Sequence, residues 1–163
     1  MRESYISKKD AKRLIEEVKE QLKIQIDVLK EKGNKVVELE KNVQIFVFDR
    51  IVIIKNGDIL FPALTCEEDF LAQLPYVKVD KEAIPHICKG AKVMRPGIVY
   101  FGKEFEKDDV VCIKDVDHNK FIAVGKALMR KTDAENSVKG VIFNNLHYVG
   151  DKYWETLKAI KPQ

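Results

Sequence analysis

The chain has 163 residues, enough for one large domain or two small ones, and an apolar share of 45% that permits a real core. Its formal charge of +3 is too small to announce nucleic acid by itself, and no apolar run approaches the roughly 18–20 residues that a membrane-spanning helix needs. Three cysteines, Cys66, Cys88 and Cys112, are odd in number and far apart, which argues against a disulfide framework and for a reducing, cytoplasmic setting in which each is a small buried hydrophobe.

The first residues, Met1-Arg2-Glu3-Ser4, lead into a charged segment and not into a signal peptide. Ser7 is placed to cap a helix that begins near Lys8. Ala11, Leu14, Ile15, Val18, Leu22, Ile26 and Leu29 then recur at spacings of three and four, which predicts one helix of about 25 residues ended by Gly33. Its other face is a Lys/Glu ladder, a solvated surface. From Lys35 the period falls to two, predicting strands over 36–39, 43–48, 50–55 and 59–61, with turns at Asn42, Asp49 and, most clearly, Asn56-Gly57-Asp58. A short helix over 67–74 is stopped by Pro75. The first domain is therefore read as α+β over residues 1–76. No Gly/Ser linker separates it from a second domain over 77–163.

The second half opens with a strand over 77–79 and a helix over 81–88 that tolerates Pro85 near its start. Strands follow over 92–94, 98–101, 109–114, 121–129 and 138–147, with a helical turn over 133–136. Many short strands with close turns predict a small, closed or nearly closed barrel.

No arrangement in the chain reads as an active site. His86 and Cys88 lie two apart, His118 sits in a turn tip, and His147 suits a structural hydrogen bond. Metal-ligand spacings such as Cys-x-x-Cys are absent, as are phosphate-binding glycine loops, so no cofactor or metal is expected. Nucleic-acid features are better represented. Residues 1–76 hold 13 Lys+Arg against 14 Asp+Glu, net −1, and residues 77–163 hold 16 against 12, net +4. Within that basic half, Gly90 stands where a helix ends in a left-handed residue, and Lys89, Lys92 and Arg95 surround it with no carboxylate between Lys89 and Pro96. A glycine hinge among cations suits a phosphate backbone. Lys126, Arg130 and Lys131 add charge at the end of a strand. Tyr148, Tyr153 and Trp154 are rings on which bases could stack, although Trp154 fits core packing better.

The segment from about Val77 to Ile160 resembles a PUA domain, an RNA-binding module of pseudouridine synthases and archaeosine transglycosylases. The matching pieces are Val79-Asp80, the run from Gly90 through Ile98, Ala123-Val124-Gly125-Lys126-Ala127, and the stretch Asn145-Leu146-His147-Tyr148-Val149-Gly150-Asp151-Lys152-Tyr153-Trp154. The last, with Phe61-Pro62-Ala63-Leu64 and Leu74-Pro75, is similar to one subgroup, the two-domain translation-associated proteins of archaea and eukaryotes, the malignant-T-cell-amplified family. Where that family has a glycine in Asp-x-Gly-Ala-Ile, this chain has Glu82.

The resemblance implies a small, mostly-β pseudo-barrel with short helices behind the α+β domain. It implies a non-enzymatic RNA-binding protein holding tRNA or ribosomal RNA, in initiation or ribosome recycling. The small ribosomal subunit or a density-regulated type of factor is the implied partner. It places RNA on Lys89, Gly90, Ala91, Lys92, Val93 and Arg95, with the last strand near Tyr148 as a second contact. Lys126 and Arg130 are the added basic candidates. Two alternatives stay open: a targeting subunit of a tRNA- or rRNA-modifying enzyme, and a protein-interaction module that no longer binds RNA.

Overall fold

The computed structural model describes residues 1–26 and 33–160. The chain divides into two compact units, Met1–Gln73 and Leu74–Gln163. In the first, α1 (Lys8–Leu22) stands with a five-stranded sheet of β1 (Arg2–Tyr5), β2 (Lys35–Glu40), β3 (Val43–Phe48), β4 (Ile51–Asn56) and β5 (Ile59–Pro62), followed by α2 (Glu68–Leu71). The sheet is an antiparallel meander in the order β1-β2-β3-β4-β5. Its tight connections fall where the sequence placed them, with Asn42, Asp49 and Gly57 all at positive φ.

Strand β1 was not legible. All four of its side chains are exposed, so it has no apolar alternation to read. Backbone pairing to β2 holds it, together with surface ion pairs Arg2–Glu38 (3.3 Å) and Lys35–Glu3 (3.0 Å).

Helix α1 begins as its cap predicts, with the Ser7 hydroxyl accepting from the Asp10 N–H at 3.1 Å, and it buries Ala11, Leu14, Ile15, Val18 and Leu22. It does not run to Gly33. Lys23 turns left-handed (φ 56°) and closes the helix, and residues 24–26 are non-helical. Two local features explain the stop. Ile24 and Ile26 both bury, a period of two that a helix cannot supply. The Gln73 amide also captures both backbone groups of Gln25, accepting from its N–H at 2.8 Å and donating to its carbonyl at 3.1 Å. Leu29, part of the expected helix, lies outside the described residues. Because Lys23 holds a conformation that strains any L side chain, Lys23→Gly is expected to stabilise the protein by about 1 kcal/mol. An unmoved urea midpoint would show that the side chain compensates for the strain.

The second unit contains β6 (Tyr76–Val79), α3 (Ile84–Ile87), β7 (Val93–Met94), a 3-10 turn (Arg95–Gly97), β8 (Ile98–Phe101), β9 (Val110–Asp115), β10 (Phe121–Ala127), α4 (Lys131–Asn136), β11 (Val141–Tyr148) and α5 (Lys152–Ala159). One curled sheet runs β7-β11-β10-β9-β6-β8. Every pair is antiparallel except β6 with β9. Val77, Val79, Ile113, Ala123, Ile142 and Phe143 point into a core that Ile87 and Phe105 complete. The mostly-β pseudo-barrel with short helices is therefore present. The helix expected over 81–88 is shorter, and residues 138–140 precede the last strand instead of joining it.

Trp154 is only half-buried. The neighbouring Tyr153 takes the interior position, edge-on to His147 at 5.6 Å between ring centres. Cys66 and Cys112 are buried and Cys88 partly so. Burial pushes the Cys66 thiol up to about 12, so it stays protonated and inert. Among the described residues, no helix is long and apolar enough to cross a membrane.

Candidate nucleic-acid interface

The site starts at α3. The Asp80 carboxylate accepts from the Ala83 N–H at 3.0 Å and starts the turn in which Pro85 sits harmlessly. The helix closes through two nested hydrogen bonds: Gly90 N–H to the Ile87 carbonyl at 3.0 Å, and Ala91 N–H to the His86 carbonyl at 3.0 Å. This is a Schellman closure, and Gly90 (φ 97°) occupies its left-handed position. From β11, the Asn145 side-chain amide donates to the Ile87 carbonyl at 3.0 Å and to the Ala91 carbonyl at 2.9 Å. The loop is thus fixed at both ends. A Cβ built on Gly90 would stand 3.4 Å from Cε1 of Tyr148, so the tyrosine ring lies against the glycine.

Asp151 secures Tyr148 in turn. One carboxylate oxygen accepts from the Tyr148 N–H (2.9 Å) and pairs with His147 Nδ1 (2.8 Å), while the other accepts from the Trp154 N–H (2.9 Å) and caps α5. Burial would raise this carboxyl. The hydrogen bond and charge of His147, with the two backbone N–H groups, outweigh burial and hold it below the ordinary carboxylate value.

The structure brings Lys89, Gly90, Ala91 and Lys92 together with Tyr148. Lys89 and Lys92 are exposed, and among the described residues no ion pair involves either. The other residues are placed differently. Val93 is 1% exposed, its side chain in the core and its residue paired with Phe143 of β11. The Arg95 guanidinium donates to the Ile98 carbonyl at 3.0 Å, reaches the Glu135 carbonyl at 3.5 Å and lies 5.1 Å from the Phe101 ring centre. Lys126 pairs with Asp108 at 3.6 Å and Arg130 with Asp133 at 3.7 Å. Lys126 sits across from Asn144, four residues along β11 from Tyr148, or roughly 13 Å. Beside the loop, a cleft of about 630 Å³ opens between α3 and the Met94–Gly97 corner, with Ala83, His86, Lys92 and Pro96 in its wall.

Sequence reasoning missed Asn145 as the latch. Its neighbour Asn144 has the same side chain, and only the register of β11 separates them. His118 sits exposed at a turn that Asp115 caps, accepting from the His118 and Asn119 N–H groups. Among the described residues, no group of three or more His, Cys, Asp or Glu side chains could hold a metal ion.

A curled sheet closed by a glycine loop and a final strand defines a PUA-type domain, and the family model described as PUA domain matches residues 75–149. Over 151 residues the chain is 35% identical to an uncharacterised protein of Methanocaldococcus jannaschii, spanning 92% of this chain and 93% of that one. It is 27% identical over 125 residues to translation machinery-associated protein 20 of Saccharomyces cerevisiae, spanning 72% and 69%. A solved structure, a hypothetical protein of the hyperthermophilic archaeon Pyrococcus horikoshii, superposes with a TM-score of 0.79 at 28% identity over 95% of this chain and 99% of that one. The chain belongs to the PUA-domain family that includes translation machinery-associated protein 20 and the malignant T-cell-amplified sequences.

Proposed function

We propose that this is a non-enzymatic RNA-binding protein of the translation apparatus, and that residues 77–163 hold tRNA or ribosomal RNA while residues 1–76 provide a protein or ribosome contact. The observation that carries the reading is the latched Gly90 loop, with exposed Lys89 and Lys92 on either side of a glycine that has no side chain of its own and lies against the Tyr148 ring. Phosphate contacts of this kind supply affinity and register without reading sequence. The Tyr148 ring beside the loop supports contact with an unpaired base.

Binding of deacylated tRNA, with and without its 3′ CCA and at two salt concentrations, tests the reading. Four to six neutralised phosphates on a duplex stem give a log–log salt slope of roughly −4 to −5. A slope near zero would sink electrostatic docking. Copurification with a modification enzyme and not with ribosomes would replace the translation assignment.

The geometry separates two cations. Lys92→Ala is expected to reduce the slope by about one unit with stability unchanged. Arg95→Ala removes a guanidinium bonded to backbone carbonyls, so it is expected to lower the melting temperature as well as any affinity. Equal melting curves for Arg95→Ala and the parent would show that those bonds carry no stability.

A further inference from the structure

The outer face of the second sheet carries a row of side chains that the glycine loop does not use. The register places Phe121 of β10 opposite Lys114 of β9, Lys114 alongside Lys78 of β6, and Lys78 opposite Tyr100 of β8. Tyr76, two residues before Lys78, joins the same face. The residues that alternate with them, Val77, Val79 and Ile113, point into the core.

Two irregularities create this row. The pairing slips between Phe121 and Ala123 on β10, and between Lys78 and Val79 against β8. Each slip offsets the alternation by one residue. Ala123 and Ile98 therefore enter the core, while Phe121 and Tyr100 turn outward to meet the lysines.

The result is an interleaved set of rings and ammonium groups. Lys114 Nζ lies 4.5 Å from the Phe121 ring centre and 5.1 Å from that of Tyr76, and Lys78 Nζ lies 5.3 Å from that of Tyr100. The Tyr76 and Tyr100 rings are 6.1 Å apart at 30°. Tyr100 is 50% exposed. Tyr76 is seated on Gly102, where an added Cβ would stand 2.4 Å from the ring. Ammonium groups set between rings complement phosphates, and flat groups complement half-exposed rings.

We propose that this row is a second nucleic-acid surface, a stacking platform for single-stranded RNA on which Tyr100, Tyr76 and Phe121 take bases and Lys78 and Lys114 take the phosphates between them. Base–ring stacking of this kind tolerates any sequence. The platform and the loop form separate contacts, one for an unpaired strand and one for a stem or its end.

The test uses the full chain, a fluorescein-labelled single-stranded oligouridylate of ten nucleotides, and a duplex acceptor stem as a second probe. Tyr100→Ala is expected to weaken oligouridylate binding roughly 5- to 150-fold, and Tyr100→Phe to restore it. The double variant Lys78→Gln, Lys114→Gln is expected to lower the log–log salt slope by about 1.4. Crosslinks from 4-thiouridine are expected on Tyr76 or Tyr100. Unchanged oligouridylate affinity in both the tyrosine and the lysine variants would overturn the platform, and so would crosslinks confined to residues 89–92. In either case the duplex probe still judges the loop independently. Equal affinity for deoxyuridylate would overturn the assignment to RNA.

Discussion

Replacing Gly90 by glutamate should cost about tenfold or more in RNA affinity while the protein stays folded. Three effects combine. A side chain at this position stands where a phosphate backbone is to approach. A carboxylate within about 4 Å of a phosphate is repelled by about 1 kcal/mol even at the dielectric of water, and by more beside a protein surface. The lysines on either side also gain a local anion that competes for them. The folding cost is smaller. The left-handed conformation is strained by about 1–2 kcal/mol for a non-glycine residue, but the new Cβ makes only an ordinary 3.4 Å contact with Tyr148. Anisotropy with labelled tRNA, paired with a thermal melt, checks both halves. Wild-type affinity in a well-folded variant would remove the loop from the interface.

The largest effect on stability is expected at Asp151. Its carboxylate caps α5, pairs with the fully buried His147 and accepts from the Tyr148 N–H. Asp151→Ala loses a helix cap and strands a buried imidazole, which together cost about 2–4 kcal/mol. For a unit of this size that lowers the melting temperature by at least about 10 °C. The pH dependence has a definite sign. The folded carboxyl is held below its ordinary value, so its contribution is fully present above pH ~4 and is lost as pH falls through the folded value. The stability gap between the parent and Asp151→Asn should therefore be largest near neutrality and shrink on acidification. Urea melts from pH 3 to pH 7 measure it, and a gap that stays constant with pH would show that the carboxylate's charge is not what stabilises this corner. Because Tyr148 is the next residue after His147, Asp151→Asn should also loosen the ring that lies against Gly90.

The parts of the fold legible in the sequence were those set by local rules. Ser7, Asn42, Asp49 and Gly57 mark caps and turns through their own backbone preferences, and the apolar positions from Ala11 to Leu22 define one helix face. Gly90 was legible for the same reason, because a helix-ending glycine acts through its own φ. Whatever depends on distant partners was hidden. Helix α1 stops where the Gln73 amide, 48 residues away from Gln25, captures the backbone, and nothing in the run Ile24-Gln25-Ile26 announces that partner. The choice of Tyr153 over Trp154 for the interior depends on where His147 lies. Arg95 belongs to the cationic cluster by position, yet its guanidinium is committed to carbonyls brought in by β8 and α4. The outward turn of Tyr100 and Phe121 depends on two slips in pairing that alternation along a single strand does not encode.

Asn145 fastens the loop from 54 residues further along the chain. At a synthesis rate of 5–20 residues per second, that separation corresponds to roughly 3–11 s between the appearance of the loop and the appearance of its latch. A nascent chain in that interval already displays Lys89 and Lys92 but cannot yet hold them in shape. On the proposed reading, the loop's ligand competence therefore arrives only with β11. A fragment that stops before β11 would keep the loop's positive charge and lose its form, and it would serve as a measure of how much of the binding is geometry.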